Sequence, residues 1–147
     1  MKARLVSKGN AKPTLNRLQR LGKGKKGVKV GLPKSKADQS NINKLAWNEF
    51  GTEHIPERPA VRNTVSKNKG KYRRQLKSAA RQIIHGKASF NGVLEKIGIQ
   101  AVGDIQDGIT SLSTPPNAPS TIRQKGSSNP LIDSGAMRAA ITHKVEV

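Results

Sequence analysis

The sequence predicts an α+β protein: a small, mainly antiparallel sheet packed with an antiparallel pair of long helices, plus extended arms and loops. Short segments near the two ends of the chain, residues 27–32 and 141–147, alternate apolar and polar side chains with the period of two that is typical of strands. Between them, residues 61–85 and 90–112 repeat apolar side chains at intervals of three, four and seven, which is the period of a helix. With 147 residues, the chain is expected to form a single domain, residues 1–147.

The two long helices are expected to be antiparallel neighbours, because the connection of residues 86–89 between them is short. The second helix contains four glycines, each of which costs about 1 kcal/mol relative to alanine in an exposed helix interior. Glycines in that number indicate close helix packing or a bend; they are Gly92, Gly98, Gly103 and Gly108. The apolar face of the first helix is expected to consist of Val61, Val65, Tyr72, Leu76, Ala79 or Ala80, and Ile83.

The remaining segments are expected to be shorter or irregular. They are, in chain order, a basic arm over residues 1–12, a short helix over 13–22, extended loops over 33–43 and 113–130, one helical turn within the second loop at 120–125, and another turn that ends at Met137. Asp133 or Ser134 is expected to cap the last turn, because short polar side chains accept hydrogen bonds from the first free backbone N–H groups of a helix.

Residues 46–59 have the sequence AWNEFGTEHIPERP, which includes Trp47, the only Trp of the chain, and Phe50, one of its two Phe. A short helix is expected to end at Gly51, since glycine readily adopts the left-handed conformation that ends a helix, and the two prolines keep the following backbone extended. The stretch is therefore expected to form a rigid edge of defined shape that carries no catalytic group. Trp47 and Phe50 suit either the core or an interface, and the core is the commoner place for each alone. For residues 55–59 we favour an interface.

The charge of the chain is strongly one-sided. Twenty-eight Lys and Arg against nine Asp and Glu give a net charge of +19, which calls for a polyanion, an acidic partner or an assembly to balance the self-repulsion. Residues 1–36 contain twelve of the basic residues and no acid, and residues 61–87 contain nine and no acid. The outer face of the first long helix is therefore expected to be a basic stripe. It contacts DNA phosphates, is solvated, or pairs with acidic neighbours, and charge alone leaves these alternatives open.

No targeting or membrane segment is predicted. The absence of cysteine excludes a disulfide framework and thiol chemistry. The basic N-terminus lacks the apolar run of a signal peptide, and no run approaches the length of a membrane span. We expect a soluble chain made in the cytoplasm.

Two groups of polar residues resemble chemical sites only superficially. Glu49, Glu53, His54 and Glu57 do not have the HExxH spacing, and an intervening proline breaks the helix that would align them, so salt bridges to Lys or Arg are the favoured interpretation. Asp133, Ser134 and His143 include the residue types of a hydrolytic triad, but the serine lacks a G-x-S-x-G turn and turn or cap roles are favoured. No phosphate-binding G-x-x-x-x-G-K-[ST] loop is present. The sequence predicts no catalytic residue, no cofactor and no metal site.

Two separated stretches resemble one family. NEFGT-x-x-IPERP at residues 48–59 and PP-N-x-P-x-T-I-x-x-KG-x-x-x-PLIDSG-x-M-R-x-x-I at residues 115–141 are similar to the neck or tail-completion (virion morphogenesis) proteins of tailed bacteriophages. These two stretches are called the signature segments below. The resemblance extends in order over most of the chain, with Ala60 where the family usually has Phe and Asn63 where Pro is common.

The resemblance implies an α+β structural protein, not an enzyme, that forms a ring of six-fold or twelve-fold symmetry at the head–tail junction of the virion. Such a ring joins the tail to the DNA-filled head, and its partners are connector or head-closure proteins and tail terminator or tube proteins. The implied interface residues are Trp47, Phe50, Gly51, Ile55, Pro56, Arg58, Pro59, Pro130, Leu131, Asp133 and Gly135. The side chains that would face DNA phosphates are Lys67, Lys69, Lys71, Arg73, Arg74, Lys77 and Arg81.

A second interpretation comes from the charge alone. A stand-alone nucleic-acid-binding protein of ribosomal or nucleoid type would explain the net charge and the acid-free N-terminal residues. It gives no role to the proline-rich signature segments, so we rank it second.

Overall fold

The computed structural model describes residues 12–13, 15–16, 19, 23 and 26–146. In chain order, their elements are β1 (Gly27–Gly31), α1 (Gln39–Phe50), α2 (Ala60–Ile84), α3 (Phe90–Ser111), α4 (Pro119–Lys125), α5 (Ala136–Ala139) and β2 (Thr142–Glu146). The predicted α+β class is confirmed, because a small antiparallel sheet packs against the long helices.

The sheet pairs a strand near the start of the continuous range 26–146 with a strand at the end of that range. Strands β1 and β2 pair antiparallel in a register that runs from Gly27 opposite Glu146 to Gly31 opposite Thr142. Both strands pack on α3, and a salt bridge of 2.8 Å from Lys29 Nζ to Glu146 Oε1 crosses their exposed face. Both predicted strands are therefore present, and they are partners.

The long helices α2 and α3 form the predicted antiparallel pair. Gly86 follows α2 with φ of 73°, and the Ser89 side chain accepts a hydrogen bond of 3.0 Å from the Gly92 N–H to cap α3. The contacts between the helices show that they are antiparallel. Thr64, near the start of α2, lies against Gly108, near the end of α3. Gln75, further along α2, hydrogen-bonds to Gln100, which is nearer the start of α3.

The core lies where α3 meets the start of α2 and the segment before β2. Ile105 and Ile109 of α3 are fully buried and form its centre. Around them pack the buried residues Ala60, Leu131, Met137 and Ile141.

Two of the four α3 glycines permit the close packing that their number indicates. A side chain at Gly98 would overlap the His143 ring on β2, and one at Gly108 would overlap the Thr64 hydroxyl on α2. Gly103 faces open space and has no such role.

The predicted apolar face of α2 is partly wrong. Val65 and Leu76 are 43% and 37% exposed, whereas Thr64 is buried against α3. The packed arc of α2 also includes Tyr72 and Gln75, which hydrogen-bond to α3. Polar side chains thus occupy the contact, so the apolar period identified the helix but misplaced its inner face by part of a turn.

Two predicted loops contain more helix than expected. Helix α1 begins at Gln39, inside the loop predicted for residues 33–43, because the Asp38 carboxylate caps it with a 2.7 Å hydrogen bond from the Asn41 N–H. Helix α4 occupies Pro119–Lys125, with proline in its first turn, where the missing N–H costs nothing. Residues 1–11 of the arm predicted for residues 1–12 lie outside the described residues, as does most of the helix predicted for residues 13–22.

Candidate functional site

The two signature segments are joined through the buried side chain of Arg58, which is 5% exposed. Its Nε and Nη2 donate hydrogen bonds of 2.7 and 2.9 Å to the carbonyl oxygens of Pro115 and Pro116. Nη1 donates to Asn48 Oδ1 at 2.8 Å. Burial lowers the pKa of the Arg58 guanidinium. We call this arrangement the joint; it connects stretches 57 residues apart in the chain.

Glu49 extends the joint to the N-terminus of α2. Pro59, at the N-cap of that helix, provides no side-chain cap. The buried Glu49 carboxylate takes this role and accepts hydrogen bonds of 3.0 and 2.7 Å from the backbone N–H groups of Val61 and Arg62. A carboxylate here also interacts favourably with the positive end of the helix dipole. One carboxylate thereby fixes the angle between α1 and α2.

Arg62 stabilises the outer side of the connection between α1 and α2, which we call the α1–α2 corner. Its guanidinium donates to the Glu49 backbone carbonyl at 2.7 Å and pairs with the carboxylates of Glu49 and Glu57. The hydrogen bond to Glu57 is the main cause that raises the pKa of Arg62. The predicted salt bridges to Lys or Arg are confirmed for Glu49 and Glu57, whereas Glu53 makes none within the described residues.

Gly51 allows the chain to turn between α1 and the proline-rich stretch. Its φ is 73° and its ψ is 167°, so it has the positive φ expected but lies outside the left-handed helical region. A Cβ there would be 3.3 Å from the Ile55 carbonyl oxygen and 3.3 Å from the Glu57 backbone nitrogen. The turn is closed by a 2.9 Å hydrogen bond from the Thr52 N–H to that Ile55 carbonyl.

Asn129 organises the second signature segment. Its Oδ1 accepts hydrogen bonds of 2.9 and 3.0 Å from the N–H groups of Leu131 and Ile132, and its Nδ2 donates to the Thr110 carbonyl of α3 at 2.8 Å. Pro130 and Leu131 are buried, and Gly135 has φ of 81° just before α5. Helix α5 then packs on α1, so both signature segments form one continuous surface.

The predicted interface residues divide into an inner and an outer set. Arg58, Pro130 and Leu131 are buried within the subunit, and they shape the segments instead of meeting a partner directly. Trp47 and Phe50 are 46% and 70% exposed, so the core placement considered for them is wrong. The outer set consists of Trp47, Phe50, Pro56 and Asp133, with Gly51, Ile55, Pro59 and Gly135 half-buried.

Phe50 and Trp47 form an aromatic edge on the outer side of α1. The Arg62 guanidinium carbon lies 5.3 Å from the centroid of the Phe50 ring, a cation–π arrangement that holds the ring in an exposed position. Large aromatic side chains that are rigid and exposed are typical anchors of protein interfaces.

The basic stripe lies on the side of α2 that faces away from α3. Lys71 is an exception among the predicted residues, because its Nζ is 2.8 Å from an Asp104 oxygen on α3. Tyr72 donates to the same carboxylate at 2.7 Å. The other six side chains are exposed and are called the basic face below: Lys67, Lys69, Arg73, Arg74, Lys77 and Arg81.

Two of the three residues that resemble a hydrolytic triad, Ser134 and His143, have structural partners. Ser134 Oγ accepts a hydrogen bond of 3.3 Å from the Ala136 N–H, which is the predicted turn role. The N-cap of α5 is Gly135 and no side chain caps the helix, so the expected cap by Asp133 or Ser134 is wrong. His143 Nε2 lies 2.7 Å from Glu95 Oε2 on α3. Across the described ranges, no group of three or more His, Asp and Glu side chains is arranged to hold a metal ion.

Comparison of the chain with protein-family models, with curated proteins and with solved structures found no match. Among the helices of residues 26–146, none is long and apolar enough to cross a membrane.

Sequence reasoning missed the partners of Arg58 and Glu49. One signal for the second was present, because α2 starts after Pro59 without Ser, Thr, Asp or Asn at its N-cap. A helix without a local cap needs acceptors from elsewhere in the chain. Two of the three acceptors of Arg58 are the backbone carbonyls of Pro115 and Pro116, which no side-chain pattern marks.

Proposed function

We propose that this protein is a structural component of a tailed-phage virion that forms a ring at the head–tail junction and is needed to join the tail to the DNA-filled head. Its neighbours would be connector or head-closure proteins on one side and tail terminator or tube proteins on the other. The role is one of assembly, without turnover of a substrate, and the protein would be put together with its partners in the host cytoplasm.

One observation carries the proposal. The two segments that resemble the neck family lie 57 residues apart at Arg58 and Pro115, yet they pack on each other through a buried guanidinium. A buried cation that donates hydrogen bonds to three fixed oxygens holds its partners in one geometry, and Trp47 and Phe50 lie exposed on the outside of that arrangement. A rigid edge with aromatic anchors is suited to contacts between subunits.

The direct test is deletion of the gene from the phage that encodes it. We expect filled heads and separate tails to accumulate, and a plasmid copy to restore joined, infectious particles. Normal yields of joined particles from the deletion would refute the assembly role.

A matched pair of variants then tests the aromatic edge. We expect the double substitution Trp47→Ala and Phe50→Ala to fail in the plasmid complementation, because it removes the two anchors. The control is Val65→Ala with Leu76→Ala, which truncates two exposed apolar side chains on α2 and should complement. Equal complementation by both variants would show that the edge is not the contact.

The stand-alone nucleic-acid-binding function is the second candidate, and the exposed basic face of α2 favours it. The two candidate functions predict different results for the gene deletion. Deletion of a nucleoid-type or ribosomal protein would not leave filled heads and tails unjoined.

A further inference from the structure

The basic face of α2 has no acidic residue near it in sequence and no ion pair in the structure. Helix α2 contains no Asp or Glu from Ala60 to Ile84. Its only side-chain ion pairs within the described residues are made by Arg62 and Lys71, at the start and on the inner side of the helix. The six cations of the basic face are therefore exposed and have no counter-charge among residues 26–146.

A second copy of the chain offers few unused carboxylates as a counter-charge. All nine acids lie in the described residues, and six of them already cap a helix or pair with a cation or a histidine: Asp38, Glu49, Glu57, Glu95, Asp104 and Glu146. Glu53, Asp107 and Asp133 are the three without such a role, and they are scattered over the turn after α1, the end of α3 and the loop before α5. Three scattered carboxylates do not match six cations on one helix face.

The composition of the face also differs from that of a protein contact. Between its cations are mainly small or polar residues such as Ser66 and Gly70, with Val65 and Leu76 exposed along one side. Cores of protein interfaces are depleted in Lys and enriched in aromatic side chains, and hot spots need such anchors. Exposed Lys and Arg among small polar residues are instead typical of contacts with phosphate oxygens.

The spacing of the cations fits a polyphosphate of high charge density. From Lys67 to Arg81, a helix rise of 1.5 Å per residue gives a length of about 21 Å, so the six charges average one per about 3.5 Å. Double-stranded DNA has one negative charge per about 1.7 Å of its axis. One face can therefore neutralise about half of the charge of an adjacent stretch of duplex. The absence of exposed aromatic side chains from the face disfavours single strands, whose bases stack on such residues.

We infer that the basic face of α2 binds the phosphate backbone of double-stranded DNA without reading its sequence. The phosphate chemistry follows from the face itself and goes beyond the assembly role. Only the choice of DNA over RNA rests on the proposed function, in which the ring joins the tail to a DNA-filled head.

The test measures binding of the purified full-length protein to a fluorescent 30-base-pair DNA of mixed sequence over a series of salt concentrations. The variant changes Lys67, Arg74, Lys77 and Arg81 to Gln. Because log Kobs falls with log salt by about 0.9 per phosphate contact, we expect the magnitude of this slope to decrease by about 3 to 4 and the affinity near 0.1 M salt to fall at least about 100-fold.

A matched control changes Lys34, Lys36, Lys44 and Lys144 to Gln. These four side chains are also exposed, so the net charge changes equally while the basic face stays intact. We expect a slope within about 1 of the unmodified protein. Both variants retain the basic N-terminal residues, so these contribute equally to the two measurements.

Three results would overturn the inference: equal loss of affinity in both variants, an unchanged slope in the basic-face variant, or polyglutamate that competes as well as DNA at equal charge. An RNA duplex bound more than about 10-fold more tightly than the DNA would overturn the choice of DNA. None of these results bears on the gene deletion, so failure here and failure of the assembly role are distinguishable.

Discussion

The joint and the basic face use the same residue types in opposite ways. In the joint, Arg58 is buried and each of its hydrogen bonds ends on a defined oxygen of the same subunit. On the basic face, Arg74 and Lys77 are exposed and have no ion pair in the described part of the chain. A buried cation whose acceptors are fixed determines shape, whereas an exposed cation contributes charge to the surface and little to stability.

This difference explains how a chain with 28 basic and nine acidic residues folds. Most of the acids are placed where structure depends on them, as helix caps or as partners of Arg62, Lys71 and Lys29. The excess positive charge is left on outer surfaces, where water and salt screen it. Substitutions in the joint should therefore change stability more than substitutions on the basic face.

Substitution of Arg58 should cause the largest loss of stability. Arg58→Ala removes three hydrogen bonds from a cation and leaves two carbonyl oxygens and an amide oxygen without their donor, so we expect the free energy of unfolding to fall by about 3–4 kcal/mol. Urea unfolding measures it. Arg74→Ala, the exposed control, should change stability by less than about 0.5 kcal/mol. Similar losses in both variants would contradict the division between joint and basic face.

Close packing of α3 should be the next most sensitive feature. Gly108→Ala places a methyl group against the Thr64 hydroxyl, and the helices must shift to accept it. We expect a loss of about 2 kcal/mol, within the range for overpacking. Gly103→Ala, on the same helix but facing open space, should instead increase the thermal unfolding temperature, because alanine is the better helix former by about 1 kcal/mol. We therefore expect Gly108→Ala to lower stability and Gly103→Ala to raise it.

Removal of the distant cap of α2 should have a moderate effect. Glu49→Gln keeps an acceptor oxygen but removes the charge at the helix N-terminus, so we expect a loss of about 1–2 kcal/mol in chemical denaturation. Glu53→Gln, an exposed neighbour without a cap role, is the control. A neutral result for Glu49→Gln would mean that the α1–α2 corner is held by Arg62 alone.

Acid should weaken the contact between α2 and α3. Burial pushes the pKa of Asp104 upward, but hydrogen bonds from Lys71 and Tyr72 together outweigh it, and the pKa lies below its usual 3.8. A carboxyl with a depressed pKa stabilises the fold above its unfolded value, and that stability is lost as pH falls through the folded value. As pH falls below 5, Asp104→Asn should therefore lose less stability than the unmodified protein. Free energies of unfolding that fall equally with pH in the variant and in the unmodified protein would contradict this.

Several features were predictable because their causes are local. The apolar period of α3 includes Ile105 and Ile109, which are the centre of the core, and the alternating residues at both ends do form the strand pair. The inner face of α2 was not predictable from apolar residues, since Thr64 and Gln75 occupy it and Val65 does not.

The site was predictable as two segments but not as one joint. Gly51 and the prolines mark the turn locally, and its positive φ follows from them. The contact of Arg58 with Pro115 and Pro116 depends on the whole path of the chain between them. The exposure of Phe50 likewise depends on Arg62 and on the direction of α1, neither of which a period of apolar residues specifies.

Electron cryomicroscopy of tailed-phage particles assembled with this chain tests the proposed assembly role most directly. We expect a closed ring of six or twelve copies at the head–tail junction, with Trp47 and Phe50 at contacts between proteins and α2 facing the DNA. Joined particles whose head–tail junction contains no copy of this chain would contradict it.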